Sequence, residues 1–433
     1  MSHENIDFNL VGNFNLNGTE EVLAGEQSVV MDSGKLSLAG SKISAEELIL
    51  VPQDEDSSEF ELKDVTIGVN FHWEQKENQK FRGKLKLIIE NGKITVINIL
   101  PLEEYLISVI SSEMSANSSL DLLKAHAIIS RSWLLAQIEK QDQLSGSAEH
   151  YDSAFSNETE YIKWYDREDH VNFHVCADDH CQRYQGTTRS HNPNVVKAVN
   201  ETAGVVLSYD SKICDARFSK CCGGVAELFE NCWEPVNHPY LTAVVDNSGF
   251  SAGFEKDLTV EENAASWLKN NPEAFCNTTD EEVLTQVLND YDWSAKDFYR
   301  WTVKYSQQEL SDLLRRRSGF DFGEIIDLIP IERGTSGRLI KLKIVGSKKT
   351  IVVGKELEIR RWLSESHLYS SAFLIEKKDV QKNIPQKFVL KGAGWGHGVG
   401  LCQIGAAVMG HKGYKFDEIL KHYFKNIELE KRY

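Results

Sequence analysis

Between Lys391 and Gly405 the chain reads Lys-Gly-Ala-Gly-Trp-Gly-His-Gly-Val-Gly-Leu-Cys-Gln-Ile-Gly, with glycine at 392, 394, 396, 398 and 400. Alternate residues of an extended backbone face the same side. An extended strand here has one face of bare main chain and another carrying Ala393, Trp395, His397 and Val399. Five glycines weaken a strand through lost entropy and missing side chains. They mark a place where a ligand or a second backbone comes very close. The indole and imidazole opposite suit the wall of a cleft, although a tight glycine-rich turn inside a core would use the same spacing. A phosphate cradle is disfavoured, because no Gly-Lys-Ser/Thr follows and the dinucleotide spacing does not fit.

A chain of 433 residues has room for two or three domains. The net charge of −17 argues against nucleic acid as a partner. Arg315-Arg316-Arg317 is too short a basic run to reverse that, and reads as a solvated helix face. No apolar run approaches the ~20 residues of a membrane span, and the N-terminus lacks the basic-then-apolar pattern of a signal peptide. The expectation is a soluble chain with no transmembrane segment. The eight cysteines are too sparse for a disulfide scaffold, and most read as small buried thiols.

The hydrophobic pattern predicts an α+β protein. Residues 1–79 form a β-rich N-terminal region, and the turn Glu90-Asn-Gly-Lys closes a hairpin between two apolar strands. Helical periodicity follows over 102–114 and 119–140, with Ser118 and Asp121 resembling a capping pattern. Residues 171–250 read as short strands and loops with one short helix. Residues 255–320 carry acidic helical segments, 324–378 revert to strands, and two short helices finish the chain.

Leu102, Leu106, Val109 and Glu113 share one face of the first of these helices. Glu113 therefore continues an apolar stripe and lies in the last turn, where the helix dipole opposes negative charge. Both effects favour a carboxyl that keeps its proton, the requirement of a general acid. The alternative is a solvated glutamate at a frayed helix end. Further along, His170, His174, Cys176, His180 and Cys181 fall within a dozen residues. Thiolates and imidazoles in such a cluster suit tetrahedral Zn²⁺. The expected ligands are Cys176, Cys181, His180 and His170, with His174 a close competitor for the last place. Four protein ligands close the shell, so the expected role is structural.

Three segments, in order, resemble the stage II sporulation protein D / amidase enhancer family. They are Leu100–Met114 running on into Leu123–Trp133, then Phe218-Ser-Lys-Cys-Cys-Gly-Gly-Val-Ala-Glu with Cys232-Trp-Glu, then Gly394–Ala406. The resemblance covers roughly 80–245 and 385–430. It implies a catalytic domain made of residues 80–245 and 385–433, split by an insertion domain at 246–384, with a cleft between the helical and glycine-rich segments. Ser115, His126 and Cys221-Cys222 stand where the family commonly has proline, glutamine and Ser/Thr-Ser.

The family includes peptidoglycan lytic transglycosylases that act on glycan strands stripped of peptides, and Glu113 aligns with its catalytic acid. The resemblance implies that Glu113 protonates the oxygen between N-acetylmuramic acid and N-acetylglucosamine. It then accepts the proton of the C6 hydroxyl as that oxygen attacks the anomeric carbon, leaving a 1,6-anhydro end. No second carboxylate is needed, unlike ordinary glycoside hydrolysis. Trp395 is expected to stack on a sugar, and His397, Gln403, Lys124, Arg131 and Ser219 to complete the substrate site. The expected partners are glycan strands and, in the alternative reading of a non-catalytic enhancer, a cell-wall amidase. The expected location is the cell envelope or periplasm, against which the missing signal pattern sets a cytoplasmic alternative.

Overall fold

The computed structural model describes residues 2–3, 5–41, 43–68, 74–115, 117–144, 153–165, 170–178, 181–188, 192–249, 256–288 and 297–433. The chain is α+β with a β-rich N-terminus. It divides into two compact units, residues 1–116 with 170–203, and residues 117–169 with 204–433. This division cuts across the boundaries expected at 79 and 245.

The first unit is built on a ten-stranded sheet. Lys84–Glu90 pairs with Lys93–Ile99 across the predicted hairpin. Asn91 and Gly92 both take positive φ, 51° and 72°, as a two-residue turn matching strand twist demands. Helix α1, Leu102–Glu113, follows directly and buries Tyr105, Leu106, Val109 and Ile110. Helix α3, Pro193–Glu201, opens with the Asn192 side chain accepting from the Asn194 amide and with Pro193 in its first turn, a favoured start.

The second unit begins with α2, Leu120–Leu144. Its cap differs from the expected one. Ser118 donates to the Gln286 carbonyl (2.8 Å), and Ser119 Oγ accepts the Leu122 amide instead (3.2 Å). Asp121 is drawn away from the cap by the Phe416 amide.

A five-stranded sheet orders Ala154–Ser156, Glu160–Lys163, Thr350–Gly354, Leu339–Gly346 and Ile325–Arg333. In a three-stranded antiparallel sheet, Lys387–Gly392 lies between Trp301–Ser306 and Phe373–Lys378. Phe388 and Leu390 share one core with Leu310, Leu342, Ile344, Trp362 and Phe373. The segment expected as a separate insertion thus packs around a strand that lies beyond its expected end. No helix among the described residues is long and apolar enough to cross a membrane.

Candidate functional site

In the first unit, Glu113 is the half-buried last residue of α1. The next residue, Met114, turns to an extended conformation while its amide still bonds the Ile110 carbonyl. No basic side chain occupies the last turn to offset the negative end of the helix dipole. One face of α1 is joined to the loop 170–188. Tyr105 stacks on Tyr184 with centroids 5.2 Å apart, and its hydroxyl bonds Gln182. Burial pushes the Tyr105 phenol well up, and Cys181, Tyr184, Cys176 and Glu113 add to the effect. The cysteine loop and the end of α1 therefore share one electrostatic neighbourhood.

That loop brings His170, Cys176 and Cys181 together, each offering one ligand atom within 4.8 Å of the others. His170 Nε2 is 3.5 Å from Cys181 Sγ, and the ring stacks on Phe173. One imidazole and two thiols, all half-buried, are a donor set that fits Zn²⁺. His174 is exposed and is not part of this group among the described residues. His180 lies outside the described residues.

In the second unit the glycine-rich segment is not the extended strand that its alternation suggests. After Lys387–Gly392 the chain loops, and Gly394, Gly396, Gly398 and Gly400 all take positive φ, 81°, 99°, 80° and 73°. Only glycine enters that region without strain, so the alternation encodes a repeating left-handed backbone. Close approach does occur: a side chain on Gly398 would meet the Arg338 guanidinium at 2.5 Å. Arg338, fully buried, donates to the carbonyls of Cys222 (3.1 Å) and Gly396 (3.1 Å). Cys221 and Trp395 exchange both backbone hydrogen bonds, and Phe218–Ser219 pairs with Leu401–Cys402. Neither Arg338 nor Glu227, whose amide bonds the Gly398 carbonyl, was singled out by sequence reasoning. Glu227 ends the second motif, which was the available signal.

Trp395 is half-exposed, edge-on to the equally half-exposed Tyr369 at 5.6 Å. Lys124 is half-exposed, with Nζ over the Phe416 ring. Ser219 is buried, and its Oγ has no partner among the described residues. Two other expected substrate contacts, Arg131 and Gln403, are interior. Arg131 is fully buried and donates to the Val205 carbonyl at 3.0 Å, which ties α2 to the strand Val205–Tyr209. Gln403 is 2% exposed and contacts His126 Nε2 at 3.2 Å. His397 is half-buried, accepts the Val399 amide on Nδ1 (3.0 Å) and meets Trp233 edge-on. Burial, with Arg217, Arg360 and Arg338 nearby, holds its imidazole well below the ordinary value, so it is neutral.

Comparison with known proteins supplies the class. Residues 90–209 match the stage II sporulation protein family, and residues 227–400 match a domain of unknown function. The chain is 24% identical to the stage II sporulation protein D of Bacillus amyloliquefaciens over 331 residues, 76% of this chain and 74% of that one. It is 25% identical to an uncharacterized protein of Brachyspira hyodysenteriae over 350 residues, 81% and 72% of the two chains. It is also 25% identical to the amidase enhancer of Bacillus subtilis over 248 residues, 55% of this chain but only a third (33%) of the enhancer. Residues 90–209 thus carry a segment of the stage II sporulation protein family, and the chain as a whole is similar to the proteins named stage II sporulation protein D.

Proposed function

We propose that this protein is a peptidoglycan lytic transglycosylase of the cell envelope, with Glu113 as its single acid–base group. The observation that carries this reading is the placement of Glu113, half-buried at the negative end of α1 inside the matched family segment. A carboxyl so placed protonates the glycosidic oxygen and then receives the C6 hydroxyl proton, as the family resemblance implies. Trp395 and Tyr369 offer half-exposed rings to a sugar face. His170, Cys176 and Cys181, with His180, hold one structural Zn²⁺ that fixes the loop carrying Tyr184 and Gln182 against α1.

Purified protein is expected to convert peptide-free glycan strands to anhydro-ended fragments. Glu113→Gln should slow this about 10²–10⁴-fold, the usual worth of one acid–base group, with pull-down on the same strands unchanged. The name of the amidase enhancer favours a second reading, in which the chain binds glycan and stimulates an amidase without chemistry. Intact binding with no wild-type cleavage would establish that reading, and absence of both would end the two together.

The zinc assignment has its own check. Cys176→Ser with Cys181→Ser should remove one equivalent of zinc per chain by elemental analysis and lower the melting temperature, since zinc binding and folding of such loops are linked. An unchanged metal content would remove this site.

A further inference from the structure

A second cluster of donors lies within the second unit, formed by residues that the proposed chemistry does not use. Cys222, Cys276, Cys402 and Asp246 each present one ligand atom, all within 4.8 Å of one another, and none is more than 1% exposed. The sulfurs come from three distant segments: the loop after Phe218–Ser219, the loop before Glu281–Leu284, and the end of Leu401–Cys402 where the helix Gln403–His411 starts.

We propose that Cys222, Cys276 and Cys402, closed by the Asp246 carboxylate, form a buried site for one Zn²⁺. The spacing supports a single ion. Cys222 Sγ and Cys276 Sγ are 3.6 Å apart, whereas the edge of a tetrahedron with zinc–sulfur bonds of 2.3 Å is about 3.8 Å. A disulfide would bring two sulfurs to about 2.05 Å. The surroundings are those of metal-bound thiolates, whose sulfurs accept backbone amides. Here the Cys222 amide points at Cys402 Sγ (3.2 Å) and the Gly224 amide at Cys222 Sγ (3.4 Å).

Asp246 is oriented in the same way. It accepts the Tyr423 hydroxyl on one oxygen (2.7 Å) and the Cys276 amide on the other (2.9 Å), which leaves each oxygen a lone pair. His422 Nε2 stands 3.7 Å behind it. Arg300, bonded to the Gly223 carbonyl, sets a permanent positive charge beside the loop of Cys222. Four donors leave no open position, so the ion is structural and staples the start of the terminal helices to the 222 and 276 loops. This inference stands apart from the glycan reading, because no acid–base step involves these residues.

The test uses the full chain carrying Cys176→Ser and Cys181→Ser, which removes the other candidate zinc site. Loaded with Zn²⁺ and desalted, this parent should retain one zinc per chain. With Co²⁺ in its place, it should show thiolate-to-cobalt charge transfer and the visible bands of a tetrahedral ion. Adding Cys222→Ser and Cys402→Ser should take the retained metal to zero. Cys214→Ser and Cys232→Ser, at equally buried cysteines, should leave it at one. Cys221→Ser should also leave it at one, although that thiol is fully buried and next in the chain to Cys222. Should the serine variants fail to fold, titration of the parent with a mercurial reagent decides, since release of one zinc must track the loss of three protected thiols. A parent that retains no zinc, a mass showing two cysteines joined as a disulfide, or an unchanged metal count after Cys222→Ser and Cys402→Ser would overturn the proposal.

Discussion

Replacing Glu227 with alanine is expected to destabilise the protein by about 3–5 kcal/mol, the range for stranding the partners of a buried charge. Glu227 is fully buried. Its Oε1 accepts the Leu228 amide (2.9 Å), the Asn231 side chain (2.8 Å) and the Thr335 hydroxyl (3.2 Å). Oε2 accepts the Ser336 amide (3.2 Å) and hydroxyl (2.6 Å). Alanine removes the acceptor for all of these donors, and each stranded buried donor carries its own desolvation cost. The damage should spread to the glycine-rich loop, because Ser336 Oγ also receives Arg338, which in turn holds the Gly396 carbonyl. Urea denaturation should show the midpoint falling with a nearly unchanged slope, and Glu227→Gln, which keeps one acceptor oxygen, should cost less. A shift below about 1 kcal/mol for the alanine variant would mean that these contacts are individually replaceable.

This network shows where the sequence is legible and where it is not. The hairpin at Asn91-Gly92 and the helices α1 and α2 follow from signals within a few residues, and they fold where periodicity and turn chemistry place them. Glu227 and Ser336 are 109 positions apart, and nothing local in either announces the other. The cysteines show the same limit. Cys222, Cys276 and Cys402 carry no motif spacing, while His170, Cys176 and Cys181 stand close enough in sequence to suggest a shared ion. Arg131 illustrates a different failure. Arginine within the first motif suggests a substrate contact, but the Val205 carbonyl beside α2 claims its guanidinium. The alternating glycines were informative about close approach and misleading about conformation, since spacing alone does not report the sign of φ.

The protein should lose stability on mild acidification through His126, and His126→Gln should remove that part of the loss. His126 is fully buried on α2, with Nδ1 against Ser130 Oγ and Nε2 against the Gln403 amide nitrogen, both at 3.2 Å. An amide nitrogen only donates, so Nε2 must accept and Nδ1 carries the proton. A second proton on Nε2 would face that donor, in an interior closed by the edge of Phe218. Burial, with a smaller contribution from Lys220, holds the imidazole down to about 3. An unfolded histidine titrates near 6.5. Between those values the unfolded chain binds the extra proton and the folded chain does not, so stability falls as pH drops. It is fully present above about 6.5 and declines by roughly 1.4 kcal/mol per pH unit below it. Groups outside this contact contribute to wild type and variant alike. The difference between the two proteins therefore isolates His126. Glutamine can keep one polar contact to Ser130 or Gln403 and has no proton to gain. The stability gap between wild type and His126→Gln should move by about 2 kcal/mol in favour of the variant from pH 7.5 to pH 5. Parallel urea curves at the two pH values measure this, and an unchanged gap would show that His126 takes up its proton without unfolding.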